Sequence, residues 1–556
     1  MSASSKKKIR KEQETAKLTE RQRKEQKEAK KLKIYSIVFT VVIAAVLVTA
    51  ITVMSIKAVE NAGIVNKLTT ALTIGEHKIN TVEMNYYYTD AITQTYSQWE
   101  TAYGDSLPTM LSLMGLDLTQ PLDEQEYYDE GKTWADYFMD QAVENAYSDY
   151  TLSDAAETAQ FTIPDDAALS LQSTIGTIEM QSMLSGYQKV DQYITAYYGN
   201  GASYDTYVEY LNRSTLANAY YNYYADSLSY TADQIDAHAT EHPSEYSSFT
   251  YAEYKLTYTS FLGEGTEDAD GNVTYTDEEN AAAKEAAKAA AESLAKTTTL
   301  EELDAAIAAL DINKDKESVA STKRTDVLYS ALSETYQTWL TAEDRKVGDI
   351  GVLEDSSTST DADGNETTTL NGYIVLQFTA VNDNKETMSN VRHLLVAPEV
   401  ESDEVTGEEI ITDEAWEAAK QTAEMHLKEW KDTDGTEEGF IELVKENSED
   451  TGSVENGGLY ENVNRDSSYE EAFLEWAIDP ARTKGEAGIV QSSYGYHIMY
   501  YVGNTEMTYH DFLITEKLRA ADLENWYKAL KEAVTLERTN LSRVNTSNVL
   551  YSVTGA

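Results

Sequence analysis

The sequence predicts an α+β chain of several domains, on three observations: an uncharged apolar run near the N-terminus, a long stretch with apolar and Tyr positions at helical spacing, and a gapless internal repeat of strand–helix–strand character. At 556 residues with 41% hydrophobic content, the chain can bury several cores, roughly three or four domains by the usual length prior. Its 96 acidic and 44 basic residues leave a formal charge of -52. Such an acidic chain repels phosphates, so no nucleic-acid partner is expected. The absence of Cys excludes disulfides, thiolate zinc sites and a lipid-modified N-terminal Cys.

Residues 1–33 carry thirteen Lys or Arg and five Glu, a net of +8. The run Ile34–Ile56 follows without a charge and is bracketed by Lys33 and Lys57. Its length suits a single transmembrane helix, and it exceeds the apolar core of a cleaved signal peptide. The basic flank places residues 1–33 in the cytoplasm, disordered or lying on the inner leaflet, and everything beyond about Lys57 outside the cell.

Residues 58–245 read as helical, in stretches such as Trp134–Tyr147 and Tyr204–Tyr223. A short apolar alternation from Leu72 to Ile79 runs into Asn80-Thr81-Val82-Glu83, with Asn80 placed to cap a helix and Glu83 at the capping-box position. Ile163-Pro164-Asp165-Asp166 marks another helix start. This layout resembles the helical N-terminal chaperone domain of PrsA-type and SurA-type foldases. Among the 40 Tyr, the clusters Tyr86–Tyr88, Tyr197-Tyr198 and Tyr220–Tyr224 suit helix interfaces, and some of them suit a client surface.

Laid over each other at an offset of 137, residues 334–352 and 471–489 match at Glu334/Glu471, Tyr336/Phe473, Trp339/Trp476, Arg345/Arg482, Gly348/Gly485, Asp349/Glu486, Gly351/Gly488 and Val352/Ile489. Thr299, Leu303 and Ile307 match Thr436, Phe440 and Val444 at the same offset. Two units of one design are therefore expected, 246–383 and 385–503, each a small domain on an antiparallel sheet, followed by a C-terminal helical tail over 505–556.

In the second unit, Val391-Arg392-His393-Leu394-Leu395-Val396 and Tyr494-Gly495-Tyr496-His497-Ile498 read as first and last strands, each carrying one His. Ser448-Glu449-Asp450 and Gly457-Gly458 lie between them. In this order the four parts resemble the parvulin family of peptidyl-prolyl isomerases over about residues 388–503. The resemblance implies that His393 and His497 are paired active-site imidazoles, that Asp450 takes a place held by Cys or Asp, and that Ser492 is a hydroxyl orienting a His. It also implies a proline pocket of Tyr469 and Phe473, with Leu459 and Tyr494 as further substrate-binding residues. The chain departs from the family's Gly-Gly-Asp-Leu-Gly turn, reading Gly457-Gly458-Leu459-Tyr460-Glu461.

The same offset puts Leu256 or Thr257 where His393 sits, and Gly372-Tyr373-Ile374 lacks the second His. The first unit thus reads as a degenerate copy, a spacer or client platform, with a polar insertion near Ser357–Thr369 before its last strand.

No cofactor and no metal are expected, since no His-Glu-x-x-His pair, Gly-x-Ser-x-Gly elbow, P-loop or dinucleotide fingerprint occurs. The expected partners are unfolded or partly folded secreted polypeptides with proline-containing segments, the membrane through one helix, and a second copy in a homodimer. The expected function is a membrane-anchored isomerase and foldase on a Gram-positive cell surface. The alternative is a non-catalytic, client-holding chaperone with parvulin-like scaffolds.

Overall fold

The computed structural model describes residues 3–15, 20–117, 120–128, 131–267, 272–360, 365–402, 409–433 and 435–544. The chain divides into two compact units, Met1–Leu228 with Ala521–Ala556, and Ser229–Ala520.

The first unit is helical apart from one small sheet. The basic segment expected to be disordered or to lie on the inner leaflet is helical over Ala3–Thr15 and from Glu20 onward, which leaves the second of these expectations standing as an expectation. Its Lys, Glu, Gln and Ala lose little side-chain freedom in a helix. The apolar run Ile34–Ile56 lies within the helix Glu20–Asn61, and part of its side chains falls outside the described residues. Among the described residues, no helix is long and apolar enough to cross a membrane.

Strands β1 (Thr70–Ile74) and β2 (His77–Asn80) form a hairpin, and Leu536–Arg538 pairs with β1 from the far end of the chain. Asn80 accepts from the backbone N–H of Val82 and Glu83, both at 3.0 Å, and so starts the helix Thr81–Tyr103. Glu83 departs from its expected capping role. It binds Arg213 at 2.5 Å and the Tyr150 hydroxyl at 2.6 Å, a charged partner being the stronger competitor. Tyr86, Tyr87 and Tyr88 are core residues. The Tyr86 hydroxyl reaches Thr206 at 2.7 Å, and Tyr87 donates to Asp149 at 3.2 Å. Tyr223 is exposed beside Phe161, whose ring centroid lies 5.0 Å away.

The second unit holds two four-stranded antiparallel sheets. In the first, β3 (Ser248–Thr257), β4 (Thr322–Leu328), β5 (Ile350–Thr360) and β6 (Glu366–Asn382) run in the order β4-β3-β6-β5. In the second, β7 (Thr387–Val396), β8 (Leu459–Val463), β9 (Ala487–Ser492) and β10 (Gly495–Thr508) run in the order β8-β7-β10-β9. The order is the same, element for element. Each sheet has one face packed on two longer helices, Asp277–Leu294 and Leu300–Ala308 in the first, Asp413–Thr433 and Glu437–Asn447 in the second. The other face carries one short helix, Glu334–Leu340 or Glu471–Ile478.

The repeated Trp, Arg and Gly build the same device twice. The Arg345 guanidinium lies 3.9 Å from the Trp339 ring centroid, and Arg482 lies 4.5 Å from that of Trp476. A Cβ on Gly351 would stand 2.4 Å from Trp339 Nε1, and one on Gly488 would stand 2.9 Å from Trp476 Nε1. The Gly therefore admits the Trp ring, and the Arg covers it. This device docks the short helix on its sheet.

Candidate active site

Register places the two imidazoles on one face. Strand β10 pairs with β7 so that Met499 faces His393 and His497 faces Leu395; His393 and Leu395, two residues apart, point the same way, as do His497 and Met499. The His393 and His497 rings have centroids 5.1 Å apart, and their Nδ1 atoms are 3.0 Å apart. Both residues are buried. Their face, which carries the short helix Glu471–Ile478, receives Phe473 edge-on to His393 at 5.3 Å between centroids.

Two local features aim the remaining groups. The Ser448 hydroxyl accepts from the backbone N–H of Leu395 and of Asp450, both at 3.2 Å, which pins the Ser-acid corner to β7 and turns Asp450 toward His393. At Gly458 the backbone has φ +70°, and a Cβ would stand 2.1 Å from the His393 carbonyl oxygen. Only glycine fits this close approach, so the second Gly of the turn is required whatever follows it.

Asp450 Oδ2 lies 2.8 Å from His393 Nε2 and accepts from Tyr460 at 3.0 Å and from the Ser453 hydroxyl. Burial raises the Asp450 carboxyl, but its donors, Ser453 and His393 first and Tyr460 after them, outweigh that effect and hold it below its ordinary value. It is therefore an ionised acceptor. Burial pushes His393 below its ordinary value against the pull of Asp450, and burial reinforced by His393 pushes His497 down to about 4. Both rings are neutral at pH 7.

One proton direction satisfies every group. His393 donates from Nε2 to Asp450, His497 donates from Nδ1 to His393 Nδ1, and the Ser492 hydroxyl donates to His497 Nε2 over 2.7 Å. Ser492 in turn accepts from the Tyr494 backbone N–H at 3.1 Å. Of the four residues expected at the site, all four belong to this chain of hydrogen bonds.

Above it lies a cavity of about 370 Å³ lined by His393, Leu395, Asp450, Tyr460, Ser468, Tyr469, Glu470, Phe473, Tyr494 and His497. Tyr469, Phe473 and Tyr494, three of the residues expected to bind substrate, line this cavity. Leu459 does not line the cavity and Tyr460 does, because successive strand residues face opposite ways and β8 pairs Tyr460 with Val391. Burial, with Asp450 beside it, pushes Tyr460 up to about 12, so its hydroxyl remains a donor. Ser453 and Tyr460 were not anticipated; the two-residue alternation from Leu459 onward was the signal for the second. Among the described residues, no group of three His, Cys, Asp or Glu is placed to hold a metal.

In the first sheet the corresponding positions follow from pairing. Gly488 faces Met499, which faces His393, and Gly351 faces Leu376, which faces Glu253. Glu253, not Leu256 or Thr257, therefore occupies the place of His393. The connections between the first strand and the repeat's Gly differ in length, so an offset fixed at the Gly does not carry back to the strand. By the same pairing Ile374 stands for His497, and Arg324 stands for Tyr460. Glu253 accepts from Arg324 Nε at 3.0 Å and from the Tyr336 hydroxyl at 2.5 Å.

Residues 393–503 match the family model described as Rotamase, PPIC-type PPIASE domain. A search of curated proteins gives no match. Among solved structures, the chain is similar to the peptidylprolyl isomerase PrsA from Bacillus anthracis, with 22% identity, covering 27% of this chain and 59% of that one, at a TM-score of 0.17. PrsA from Bacillus subtilis gives 22% identity over 30% of this chain and 49% of that one, also at 0.17. PrsA from Bacillus cereus gives 18% over 31% and 58%, at 0.17. The chain thus spans less than two thirds of the length of each. Residues 393–503 are a parvulin segment, a PPIC-type peptidyl-prolyl isomerase domain within a longer chain.

Proposed function

We propose that the chain is a membrane-anchored, extracytoplasmic peptidyl-prolyl isomerase that assists the folding of secreted or surface proteins. The observation that carries this reading is the unbroken hydrogen-bond chain Ser492–His497–His393–Asp450 beneath a cavity walled by Tyr469, Phe473 and Tyr460. Prolyl isomerisation needs no nucleophile. Its barrier, about 18–20 kcal/mol, comes from amide resonance. An aromatic cavity that holds the proline ring away from water disfavours the more polar planar amide. Two neutral, fixed imidazoles and the Asp450 carboxylate then set the field at the carbonyl that rotates. A proline-tetrapeptide isomerisation assay on the whole chain, with and without His393→Ala, tests it; unchanged turnover in the variant would leave the client-holding scaffold as the better reading.

The anchor rests on the sequence: thirteen basic residues before position 34, then the uncharged run Ile34–Ile56. Protease added to intact cells should remove the mass beyond Lys57 and spare the N-terminal tail. Protection of the C-terminal region would reverse the orientation. The helical segment 58–245 would hold unfolded clients. The first sheet, built like the second but lacking both His, is a degenerate parvulin-like unit without turnover of its own.

A further inference from the structure

The outer wall of the cavity, Ser468, Tyr469 and Glu470, belongs to the segment Asn464–Glu470 that leads from β8 to the short helix Glu471–Ile478. Within itself this segment is held by small turns: Asn464 N–H donates to Ser467 Oγ at 3.0 Å, and Tyr469 N–H donates to the Ser467 carbonyl at 2.9 Å. Two contacts tie it to the catalytic sheet: Asn464 Nδ2 donates to the Asn462 carbonyl of β8 at 3.0 Å, and Glu470 accepts from the Ser493 backbone N–H of the β9–β10 hairpin at 3.3 Å. The side chains of Arg465 and Asp466 reach residues outside the four strands of that sheet.

Arg465, with its side chain 19% exposed, donates through Nη2 to the Ser248 hydroxyl, the first residue of β3, at 3.1 Å and to Asn384 Oδ1. Through Nη1 it binds Glu386. Asn384 is wholly buried between the two sheets' strands and is itself tied back to β3, donating to the Tyr246 carbonyl at 2.8 Å and to Ser248 Oγ at 3.2 Å. One residue on, Asp466 accepts from the Tyr509 hydroxyl at 2.7 Å. Four groups beyond the cavity therefore fix two consecutive residues of its wall segment. None of them touches the His393–His497 chain.

We propose that the first sheet and its link to the second brace the cavity of the second, with Arg465 and Asp466 as positioning residues that hold Tyr469 and Glu470 in place through Ser248 of β3, Asn384 and Glu386 between the two sheets, and Tyr509 just beyond β10. The isomerase reading enters only in naming the ligand as a proline peptide. A planar guanidinium spanning three acceptors is suited to fix a segment in one arrangement. A wall ordered in advance spares the ligand the entropy of ordering it. Loss of the brace should thus weaken binding and leave the chemistry of bound substrate nearly untouched. This gives the degenerate sheet a role that needs no site of its own.

The test uses the whole chain with a proline tetrapeptide, measuring affinity by titration separately from turnover. Arg465→Ala should raise both Kd and KM by about tenfold with kcat within about twofold of the parent, since a loosened wall misplaces the ligand. Arg465→Lys should recover part of the loss, because it keeps the charge toward Glu386 and loses the fork. Amide exchange at Ser467–Phe473 should quicken in Arg465→Ala. If Arg465→Ala fails to fold, Ser248→Ala, which removes the first sheet's own contact to Arg465, decides, with an expected rise in Kd of about threefold. Unchanged Kd alongside a lowered Tm, or a fall in kcat at constant KM, would overturn the brace. Absent turnover in the parent with the expected loss of affinity in the variant would sink the isomerase reading and support the brace.

Discussion

The two sheets of the second unit share strand order, pairing and the Trp–Arg–Gly device, yet their strands differ where they face the cavity, while the short helix keeps an aromatic ring, Tyr336 or Phe473. His393, His497, Tyr460 and Phe473 in the second stand where Glu253, Ile374, Arg324 and Tyr336 stand in the first. The comparison separates two kinds of constraint. The residues the repeat keeps are those that dock a helix on a sheet, and the residues it changes are those that do chemistry. In the first sheet, a buried carboxylate, an arginine and a tyrosine satisfy one another. In the second, the hydrogen bonds run in one direction through two neutral imidazoles and leave an open cavity beside them.

The largest expected difference lies in turnover. Asp450→Ala removes the acceptor that fixes the His393 tautomer and should lower kcat/KM on the order of a hundredfold in a tetrapeptide assay. Glu253→Ala, the matching change in the first sheet, should leave it unchanged. Equal losses from both would mean that the first sheet takes part in catalysis.

Stability should show the reverse pattern in the first sheet. Glu253→Ala leaves the Tyr336 hydroxyl buried without its acceptor, and chemical denaturation should report a loss of about 1–3 kcal/mol. A neutral outcome would show that the Glu253–Arg324–Tyr336 cluster is replaceable by packing alone.

The pH profile tests the imidazoles. His497 titrates near 6.5 when unfolded and near 4 when folded, so the unfolded chain binds a proton that the native one does not. Stability should therefore fall as pH drops from about 6.5 to about 4, and turnover should hold over that range until His497 protonates and ceases to accept from Ser492. Activity lost instead near pH 6.5 would show an imidazole that is not held neutral.

The smallest effect should be the same in both sheets. Arg345→Ala and Arg482→Ala each uncover a Trp ring and should each lower stability by about 1 kcal/mol with turnover kept. A loss of turnover from Arg482→Ala alone would tie the docking device to the cavity.

The faces of His393 and His497 were legible in the sequence because strand alternation is a local rule, and the resemblance to the parvulin family singled out the pair as a site. Asp450 was legible only through the resemblance to the parvulin family, whose pattern includes the Ser-acid corner. Tyr460 was not placed in the cavity, since β8 was not recognised as a strand and its phase against β7 depends on a long-range pairing. Glu253 escaped for a similar reason, the repeat offset being fixed at Gly351 and lost across loops of different length. The brace at Arg465 joins residues more than two hundred positions apart in sequence, and no local pattern announces it.

The central claim is that the second sheet alone isomerises proline through its imidazole pair, and the double variant His393→Ala with His497→Ala tests it most directly. In the whole chain, proline-tetrapeptide isomerisation should fall to the uncatalysed rate while circular dichroism and the binding of unfolded clients persist. Turnover that survives in the double variant would contradict the account.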